Sequence, residues 1–160
     1  LLISDAAINI QPDISTRVES ALLMASMSRK LGFARPKVAI LSATESILPN
    51  IPSSIEALEI ARLAGERDPD ADFFGPLSFD LAISPKATLE KAIANPVAGQ
   101  ANALVVPDIV SGNILFKALV WCAGGLAAGL VAGGAVPIVL TSRSDPPEAR
   151  LAAIALASLD

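Results

Sequence analysis

Three short apolar runs, which alternate with segments of helical character, constrain the fold more than any other feature of this sequence. They are residues 38–41, 103–106 and 136–141. Each has the length of a buried strand and is bounded by turn-forming residues. Strands and helices that alternate in this order are joined by right-handed parallel crossovers. The sequence therefore predicts an α/β fold with a mostly parallel sheet flanked by helices.

The apolar residues of the chain support this interpretation. They make up 52% of the sequence, whereas aromatic residues make up only 4%. The interior is therefore expected to consist of Ala, Val, Ile and Leu, which is typical of helices packed on a parallel sheet. A chain of 160 residues is long enough for one domain with its own core.

Capping signals predict where the helices begin and end. Asp13 is a candidate N-cap for a helix that Gly32 ends. Ser53 and Glu56 have the spacing of a capping box in front of a helix that runs to about Glu66. A further helix is expected to begin at Pro85, with Ser84 as its N-cap. Two more helices are expected, over 110–123 and over 145–159.

Missing residue types exclude several kinds of chemistry. The chain has no histidine, so it has no Ser-His-Asp or Cys-His nucleophile and no His-ligated metal. Its single cysteine, Cys122, cannot form an internal disulfide, and the apolar surroundings of Cys122 indicate buried packing. A net charge of -4 without a basic run indicates no nucleic-acid partner. We expect no bound metal and a reducing, cytoplasmic location.

An uncharged stretch over residues 118–140 is long enough for a membrane-spanning helix. Several glycines and Pro137 interrupt it where a helix should end, a turn should form and a strand should begin. We therefore favour a buried helix end followed by two strands over a membrane span, and expect no membrane partner.

The strongest candidate site follows the last predicted strand. Ser142 and Arg143 come directly after it, and Asp145 and Glu148 lie at the expected start of the final helix. A hydroxyl, a guanidinium and the free amides of a helix start can bind an anion, and the planar fork of arginine suits phosphate. The alternative is that Asp145 caps the helix, Glu148 completes a capping box and Arg143 is a solvated surface charge.

A second group of polar side chains follows the strand over 103–106. It consists of Asp108, Ser111 and Asn113, which we expect to bind substrate. Open α/β sheets bind their ligands just beyond the carboxyl ends of the strands. Alternatively, Asp108 and Ser111 cap the helix that follows.

A third group follows two other strand ends. Asp5 and Asn9 come after an expected strand at the start of the chain, and Ser42, Thr44 and Glu45 come after the strand over 38–41. Ser42 and Thr44 are expected to bind substrate. These side chains either line a cleft or stabilise turns.

Several stretches of this sequence resemble, in the right order, the signature stretches of the phosphate acetyl/butyryl transferase family. They are residues 2–10, 37–44, 51–53, 75–80, 97–99, 105–115, 136–145 and 148–151. Several motifs in order are far more specific than a single one, and together they cover nearly the whole chain.

The resemblance implies a fold like that of isocitrate and isopropylmalate dehydrogenases, in which two α/β domains flank a cleft. Only the second half is represented. Residues 1–141 would belong to the second domain, and residues 142–160 would form the strand-end site and a final helix that returns to the missing first domain. The chain opens at Leu1 like the middle of a strand, without an initiator Met, so we expect the natural protein to extend upstream.

The resemblance also implies reversible acyl transfer between coenzyme A and inorganic phosphate. The substrates would be a coenzyme A thioester and phosphate, with no metal and no permanently bound cofactor. A homo-oligomer such as a homodimer is implied, and some similar members are fused to an enoyl-CoA hydratase module. The alternative left open is a non-catalytic dimerisation or scaffold domain derived from the family.

The same resemblance assigns the catalytic residues. In the family, the serine and arginine at the end of the last strand bind the phosphate or acyl-phosphate group, and Ser142 and Arg143 match them. Asp145 comes too early to match the family's base, and it stays in the candidate catalytic set with Glu148 because of its position after the strand. The aspartate thought to act as base in longer acetyltransferases matches a position near Ala149, so the base stays open, with Glu148 the acid close by.

Overall fold

A computed structural model describes residues 1–159 of the chain as six helices and six strands. The chain divides into two units, Leu1–Ile114 and Leu115–Asp160. In chain order the elements are β1 (Leu2–Ser4), α1 (Ile14–Lys30), β2 (Lys37–Leu41), α2 (Pro52–Arg67), β3 (Asp72–Leu77), α3 (Phe79–Ile83), α4 (Pro85–Glu90), β4 (Ala103–Val105), α5 (Ile109–Trp121), β5 (Leu130–Val131), β6 (Ile138–Val139) and α6 (Pro147–Ala157).

The first unit is built on a four-stranded sheet in the order β1-β4-β2-β3. Ala103 of β4 pairs with Leu2 of β1 on one side and with Val38 of β2 on the other. Both pairings are parallel, and so is the pairing of β2 with β3. The four strands therefore end at one edge of the sheet, and the predicted α/β fold with a parallel sheet is confirmed.

The main core of this unit lies between the sheet and the helices α1 and α2. Val38 and Ile40 of β2 and Ala103 and Val105 of β4 belong to it, at alternate strand positions that share one face. Its buried members are only Ala, Val and Ile, so the expected aliphatic interior is confirmed. They are Val18, Ala21, Ala25, Val38, Ile40, Ala57, Ile60, Ala61, Ala64, Ala71, Ala103 and Val105.

Capping signals located several helix ends correctly. The Oδ1 atom of Asp13 accepts a hydrogen bond of 2.8 Å from the amide three residues later, as a cap of α1 should. Gly32 follows the end of α1 with a φ of +95°, which costs little in the absence of a Cβ. The Ser84 hydroxyl oxygen accepts a hydrogen bond from the Ala87 amide and caps α4.

The predicted capping box of Ser53 and Glu56 is wrong. α2 begins at Pro52, and its N-cap, Ile51, makes no side-chain hydrogen bond. Ser53 instead hydrogen-bonds a hydroxyl at the end of β2, and Glu56 pairs with an arginine of α1. Pro52 presets φ at the first helical position, so the helix begins without the box.

The last predicted strand, over 136–141, does not join the parallel sheet, so this part of the predicted topology is wrong. β6 pairs antiparallel with β5 in a separate sheet, with Leu130 opposite Val139. The connection over 132–137 is too short for a parallel crossover, which needs about a dozen residues or more. Gly133, with a φ of +86°, lets the chain reverse there.

The uncharged stretch over 118–140 is divided among three elements. α5 ends at Trp121, and the two short strands β5 and β6 follow. Within residues 1–159, no helix has both the length and the apolar character required to cross a membrane. The predicted order of a helix end and two strands is confirmed.

The end of α5 is exposed, which contradicts the prediction that it is buried. Trp121 is 73% exposed, and the thiol of Cys122 is exposed as well. Among residues 115–159, the buried hydrophobic side chains are Ala149 and Ala153 of α6. Within this unit, α6 packs against the two strands β5 and β6. The apolar residues that adjoin the end of α5 in the sequence therefore do not bury it.

Candidate functional site

The carboxyl ends of β1 and β4 bring two of the candidate groups together. The Val106 amide donates a hydrogen bond of 2.8 Å to the carbonyl oxygen of Ser4. The side-chain amide of Asn113 donates one of 3.1 Å to the carbonyl oxygen of Ala6, in the loop that Asp5 opens. Asn113 therefore ties the start of α5 to the loop after β1, and its role in substrate binding stays a prediction.

Asp5 organises the loop after β1. Its Oδ1 accepts hydrogen bonds from the amides of Ala7 and Ile8, at 2.7 and 3.0 Å. Its Oδ2 accepts from the backbone and side-chain amides of Asn9, at 2.7 and 2.8 Å. Partial burial alone would raise the pKa of Asp5, but these hydrogen bonds favour the ionised form and hold the pKa below its usual value. Asp5 and Asn9 thus stabilise a turn, as one of the two interpretations predicted.

Asp5→Asn is expected to lower the free energy of unfolding at neutral pH by about 1–2 kcal/mol, because a charged acceptor of several amides is lost. The pKa of Asp5 is lower in the folded state than its ordinary value of 3.8. The stabilisation is therefore present above that value and is lost as the pH falls through the folded pKa. Urea unfolding from about pH 2 to 7 should show wild type and variant converging at the acidic end.

Asp70→Asn is the matched control, since Asp70 is exposed. This control should follow the wild-type pH dependence. A difference between wild type and Asp5→Asn that stays constant over the whole pH range would contradict the assignment.

Asp108 and Ser111 form the first turn of α5. Oδ1 of Asp108 accepts a hydrogen bond of 2.8 Å from the Ser111 amide and lies 3.1 Å from the Ser111 hydroxyl. The alternative that Asp108 caps this helix is therefore confirmed. Both side chains also line an open groove of about 520 Å³. The other residues that line it are Ile10, Gln11, Val110 and Ile114.

The polar residues after β2 also take part in local structure. The hydroxyls of Ser42 and Ser53 lie 2.9 Å apart, and Ser42 is buried. Thr44 Oγ1 accepts a hydrogen bond of 3.0 Å from the amide two residues later, and Glu45 lies 3.5 Å from the Lys91 ammonium. Because β2 is the neighbour of β4, Ser42 and Thr44 follow the same edge of the sheet as the first turn of α5. Their substrate-binding role stays a prediction.

Arg17 of α1 is a buried charge that sequence inspection did not single out. It is only 1% exposed, and its Nη1 lies 2.7 Å from Oε2 of Glu56. Burial lowers the pKa of Arg17, while the negative charges of Glu56 and Asp108 oppose this shift. The signal was its spacing: Arg17 precedes the buried Ala21 and Ala25 at intervals of four residues, which share one helix face.

The turn between β6 and α6 presents Arg143 to solvent. Arg143 is exposed, and among residues 1–159 it has no ion pair. The hydroxyls of Ser142 and Ser144 lie 3.1 Å apart on either side of it in the sequence. The guanidinium is thus available to a ligand, and its role as a phosphate site stays a prediction.

Asp145 and Glu148 do not form the predicted capping box. Oδ2 of Asp145 instead accepts a hydrogen bond of 2.6 Å from the Ser142 amide, and the N-cap of α6 is Pro146, without a side-chain bond. Neither Pro146 nor Pro147 has an N–H group, so the start of α6 offers fewer free amides than predicted. An anion at this turn would be bound mainly by side chains. Glu148 lies in the first turn of α6.

Polar side chains beyond the strand ends, on a parallel sheet packed against helices, define an open α/β protein of the kind that binds small ligands at this edge. Within residues 1–159, no cluster of Cys, Asp or Glu side chains could hold a metal ion. The chain belongs to a family described as phosphate acetyl/butaryl transferase, whose model matches residues 1–158.

Two relatives and a solved structure agree with this membership. A phosphate acetyltransferase of Rhizobium meliloti is 45% identical over 160 residues, which is 99% of this chain and 51% of the relative. A phosphate butyryltransferase of Clostridium acetobutylicum is 31% identical over 99% of this chain and 53% of the relative. A branched-chain phosphotransacylase from Enterococcus faecalis V583 superimposes with a TM-score of 0.91 at 39% identity, over 98% of this chain and 56% of that one. The chain spans about half the length of the curated relatives it matches.

Proposed function

We propose that this chain is part of a longer, cytoplasmic enzyme that transfers an acyl group reversibly between coenzyme A and inorganic phosphate. The observation that carries the proposal is the exposed guanidinium of Arg143, which has no ion pair among residues 1–159 and follows Ser142 just beyond β6. An arginine of this kind can bind two oxygens of a phosphate or acyl phosphate. The family supports this substrate pair, since its relatives are phosphate acetyltransferases and butyryltransferases.

The proposed reaction needs no covalent enzyme intermediate. The thiolate of coenzyme A attacks the carbonyl carbon of the acyl phosphate, a C–S bond forms, and the bond from carbon to the phosphate oxygen breaks. Arg143 and the Ser142 hydroxyl stabilise the negative charge that develops on the carbonyl and phosphate oxygens. A fixed donor of this kind contributes about 3–4 kcal/mol to transition-state stability.

Asp145 and Glu148 have different proposed parts in this site. Asp145 holds the turn in place, because its carboxylate accepts the Ser142 amide. Glu148 is the acid nearest to the position of the base in longer acetyltransferases, and Ala149, which is 3% exposed, supplies no carboxylate there. Glu148 is therefore our candidate acceptor for the thiol proton.

The rest of the proposed assembly is taken from the resemblance to the family. We propose a fold like that of isocitrate and isopropylmalate dehydrogenases, with residues 1–141 in the second domain and residues 142–160 reaching toward the first. The enzyme is proposed to be a homo-oligomer with no permanently bound cofactor, and a fused enoyl-CoA hydratase module is one arrangement to look for. Asp108, Ser111, Asn113, Ser42 and Thr44 would bind substrate at the carboxyl edge of the sheet.

A non-catalytic dimerisation or scaffold domain is the second candidate function. It is favoured by the large apolar side chains that residues 115–159 leave exposed. Among them are Trp121, Leu126, Val136 and Leu151. A scaffold would keep its association when the anion site is removed, whereas the enzyme would lose acyl transfer.

The experiment that tests the proposed function is an assay of the full-length protein with phosphate and either acetyl-CoA or butyryl-CoA. Release of coenzyme A that depends on phosphate and is accompanied by acyl phosphate is expected, and the better thioester identifies the acyl chain. No phosphate-dependent release with either thioester would refute the proposal.

The 160-residue chain by itself is expected to be inactive or nearly so, because the proposed cleft lacks its opposite wall. Acyl phosphate formation by the purified chain at the rate of the full-length protein would show that the missing half is not needed for catalysis.

A further inference from the structure

The groove at the start of α5 has two walls that the backbone joins. One wall is the loop that carries Ile10 and Gln11, and the other is formed by Asp108 and the first turns of α5. The Ile109 amide donates a hydrogen bond of 3.2 Å to the carbonyl oxygen of Ile10. The volume of the groove, about 520 Å³, is typical of a site for a small molecule.

Two polar side chains of the groove have hydrogen-bonding capacity that the protein leaves unused. Oδ1 of Asp108 accepts from Ser111, whereas its Oδ2 has no partner in the part of the chain that the structure describes. Gln11 is exposed, and its carboxamide makes no hydrogen bond with any described residue. The groove therefore offers a ligand one carboxylate acceptor and one carboxamide, which both donates and accepts.

Branched aliphatic side chains from both walls surround these polar groups. Ile10, Val110 and Ile114 are 75%, 62% and 64% exposed. Val110 and Ile114 are four residues apart, so they lie on the same face of α5. Covering these side chains with an apolar part of a ligand removes their surface from water, which favours binding.

The charge of the groove disfavours an anion. Of the described residues that line it, none is Lys or Arg, and Asp108 adds a negative charge. A phosphate group would be repelled there, whereas an N–H group is attracted to the unused oxygen of Asp108. The chemistry of the groove thus selects a ligand that is not anionic, carries amide groups and has branched aliphatic surface.

We propose that the groove binds the pantetheine arm of the coenzyme A thioester. This arm is uncharged, and it contains amides and a carbon that carries two methyl groups. The amide nearest that carbon donates its N–H to Oδ2 of Asp108, and the methyl groups lie against Ile114 and Val110. The proposal rests on the proposed function for the identity of the substrate, and it adds which part of the substrate binds here. The phosphates of coenzyme A and the acyl chain lie outside the groove.

The test compares three carriers of the same acyl group with the full-length enzyme: coenzyme A, pantetheine, and N-acetylcysteamine, which keeps only the part of the arm nearest the sulfur. Ile114→Ala should lower kcat/KM about fivefold for the first two thioesters, because apolar contact is lost. Asp108→Asn keeps a capping side chain, since asparagine also caps helices, but it removes the charged acceptor. It should lower kcat/KM at least about tenfold for the same two thioesters. With the N-acetylcysteamine thioester, both variants should stay within about twofold of wild type.

Other patterns across the carriers would overturn the proposal. A loss confined to the coenzyme A thioester would place the nucleotide in the groove. A loss in Ile114→Ala that is equal for all three carriers and grows with acyl chain length would place the acyl chain there. An equal loss for all three carriers in Asp108→Asn would mean that Asp108 acts only as the cap of α5. Unchanged values in both variants would leave the groove to another ligand, such as a peptide segment.

Leu89→Ala and Asp70→Asn are the matched controls. Leu89 is a leucine of α4 that is 82% exposed, Asp70 is also exposed, and neither lines the groove. Both controls should leave kcat/KM unchanged with every carrier. Gln11→Ala is the second variant if Asp108→Asn does not fold, because the exposed side chain of Gln11 has no hydrogen bond to lose among residues 1–159. It should lower kcat/KM about threefold with coenzyme A and pantetheine thioesters only.

Calorimetric titration with pantetheine separates this proposal from the proposed function. A wild-type protein that turns over none of the three thioesters would refute the function. Binding of pantetheine to that protein, weakened about tenfold by Asp108→Asn, would still support the assignment of the groove. An inactive wild-type protein that binds no pantetheine would overturn both, and an active enzyme without the expected dependence on the carrier would overturn the groove assignment alone.

Discussion

Arg143→Ala is expected to reduce phosphate-dependent acyl transfer by the full-length protein at least about a hundredfold, which is the usual effect of removing one donor that stabilises transition-state charge. Arg143 is exposed and has no ion pair among residues 1–159, so its removal leaves no buried carboxylate unpaired. The stability of the protein should therefore change little. Rates of acyl phosphate formation and thermal unfolding, measured on the same samples, separate the two effects.

Arg150→Ala is the matched control for this prediction. Arg150 is an exposed arginine of α6, in the same unit of the chain. Arg150→Ala changes the net charge by the same amount as Arg143→Ala. General electrostatic attraction of the substrate would therefore be weakened equally in both variants, whereas direct binding by Arg143 predicts that Arg150→Ala leaves the rate within about twofold of wild type. Arg143→Lys keeps the charge and loses the bidentate geometry, and it should lie between wild type and Arg143→Ala. Unchanged acyl transfer in Arg143→Ala would favour the scaffold function.

The parallel sheet of the first unit was predictable because its signals are local. The runs over 38–41 and 103–106 are short and fully apolar, and a strand that is buried on both faces needs this composition. Asp13 and Ser84 cap their helices through amides three residues away, which requires nothing from the rest of the fold. In both cases the physical cause lies within one element of the chain.

The errors arose where a distant part of the molecule competes for the same side chain or backbone. Glu56 was expected to cap α2, but the buried charge of Arg17 holds its carboxylate instead. β6 was expected beside the parallel strands, and it pairs with β5 across a short connection. Cys122 was expected in the interior because its neighbours in sequence are apolar, yet burial depends on which surfaces meet it in space.

In the candidate site, too, local features could be predicted and contacts between distant parts of the chain could not. Asp108 was recognised as a residue beyond a strand end, since this follows from the strand itself. Asn113 contacts the loop opened by Asp5 because β1 lies beside β4. The sequence contains no local signal for that strand order, so this contact could not be predicted. Arg17 had a weak signal in its helical spacing, but a single arginine on an apolar face can also reach solvent along its own stem.

Gly112→Ala is expected to destabilise the protein by about 3 kcal/mol, the upper part of the usual range for overpacking. A Cβ at Gly112 would meet the carbonyl oxygen of Asp5 and would lie 2.9 Å from Cγ2 of Val106. The carbonyl belongs to backbone held by the hydrogen bonds of the Asp5 loop, so it cannot move without disturbing that loop. The measurement is the free energy of unfolding in urea at neutral pH.

Gly65→Ala separates this steric effect from helix propensity. Gly65 lies within α2, and a Cβ there would have no neighbour within 4 Å. Alanine in a helix is favoured over glycine by about 0.5–1 kcal/mol, so Gly65→Ala should stabilise the protein. The opposite signs at the two positions would show that α5 approaches the loop after β1 too closely to admit a methyl group. Equal, small changes in both variants would mean that α5 and this loop are not in contact, and the groove beside Asp108 would lose the support on which its geometry depends.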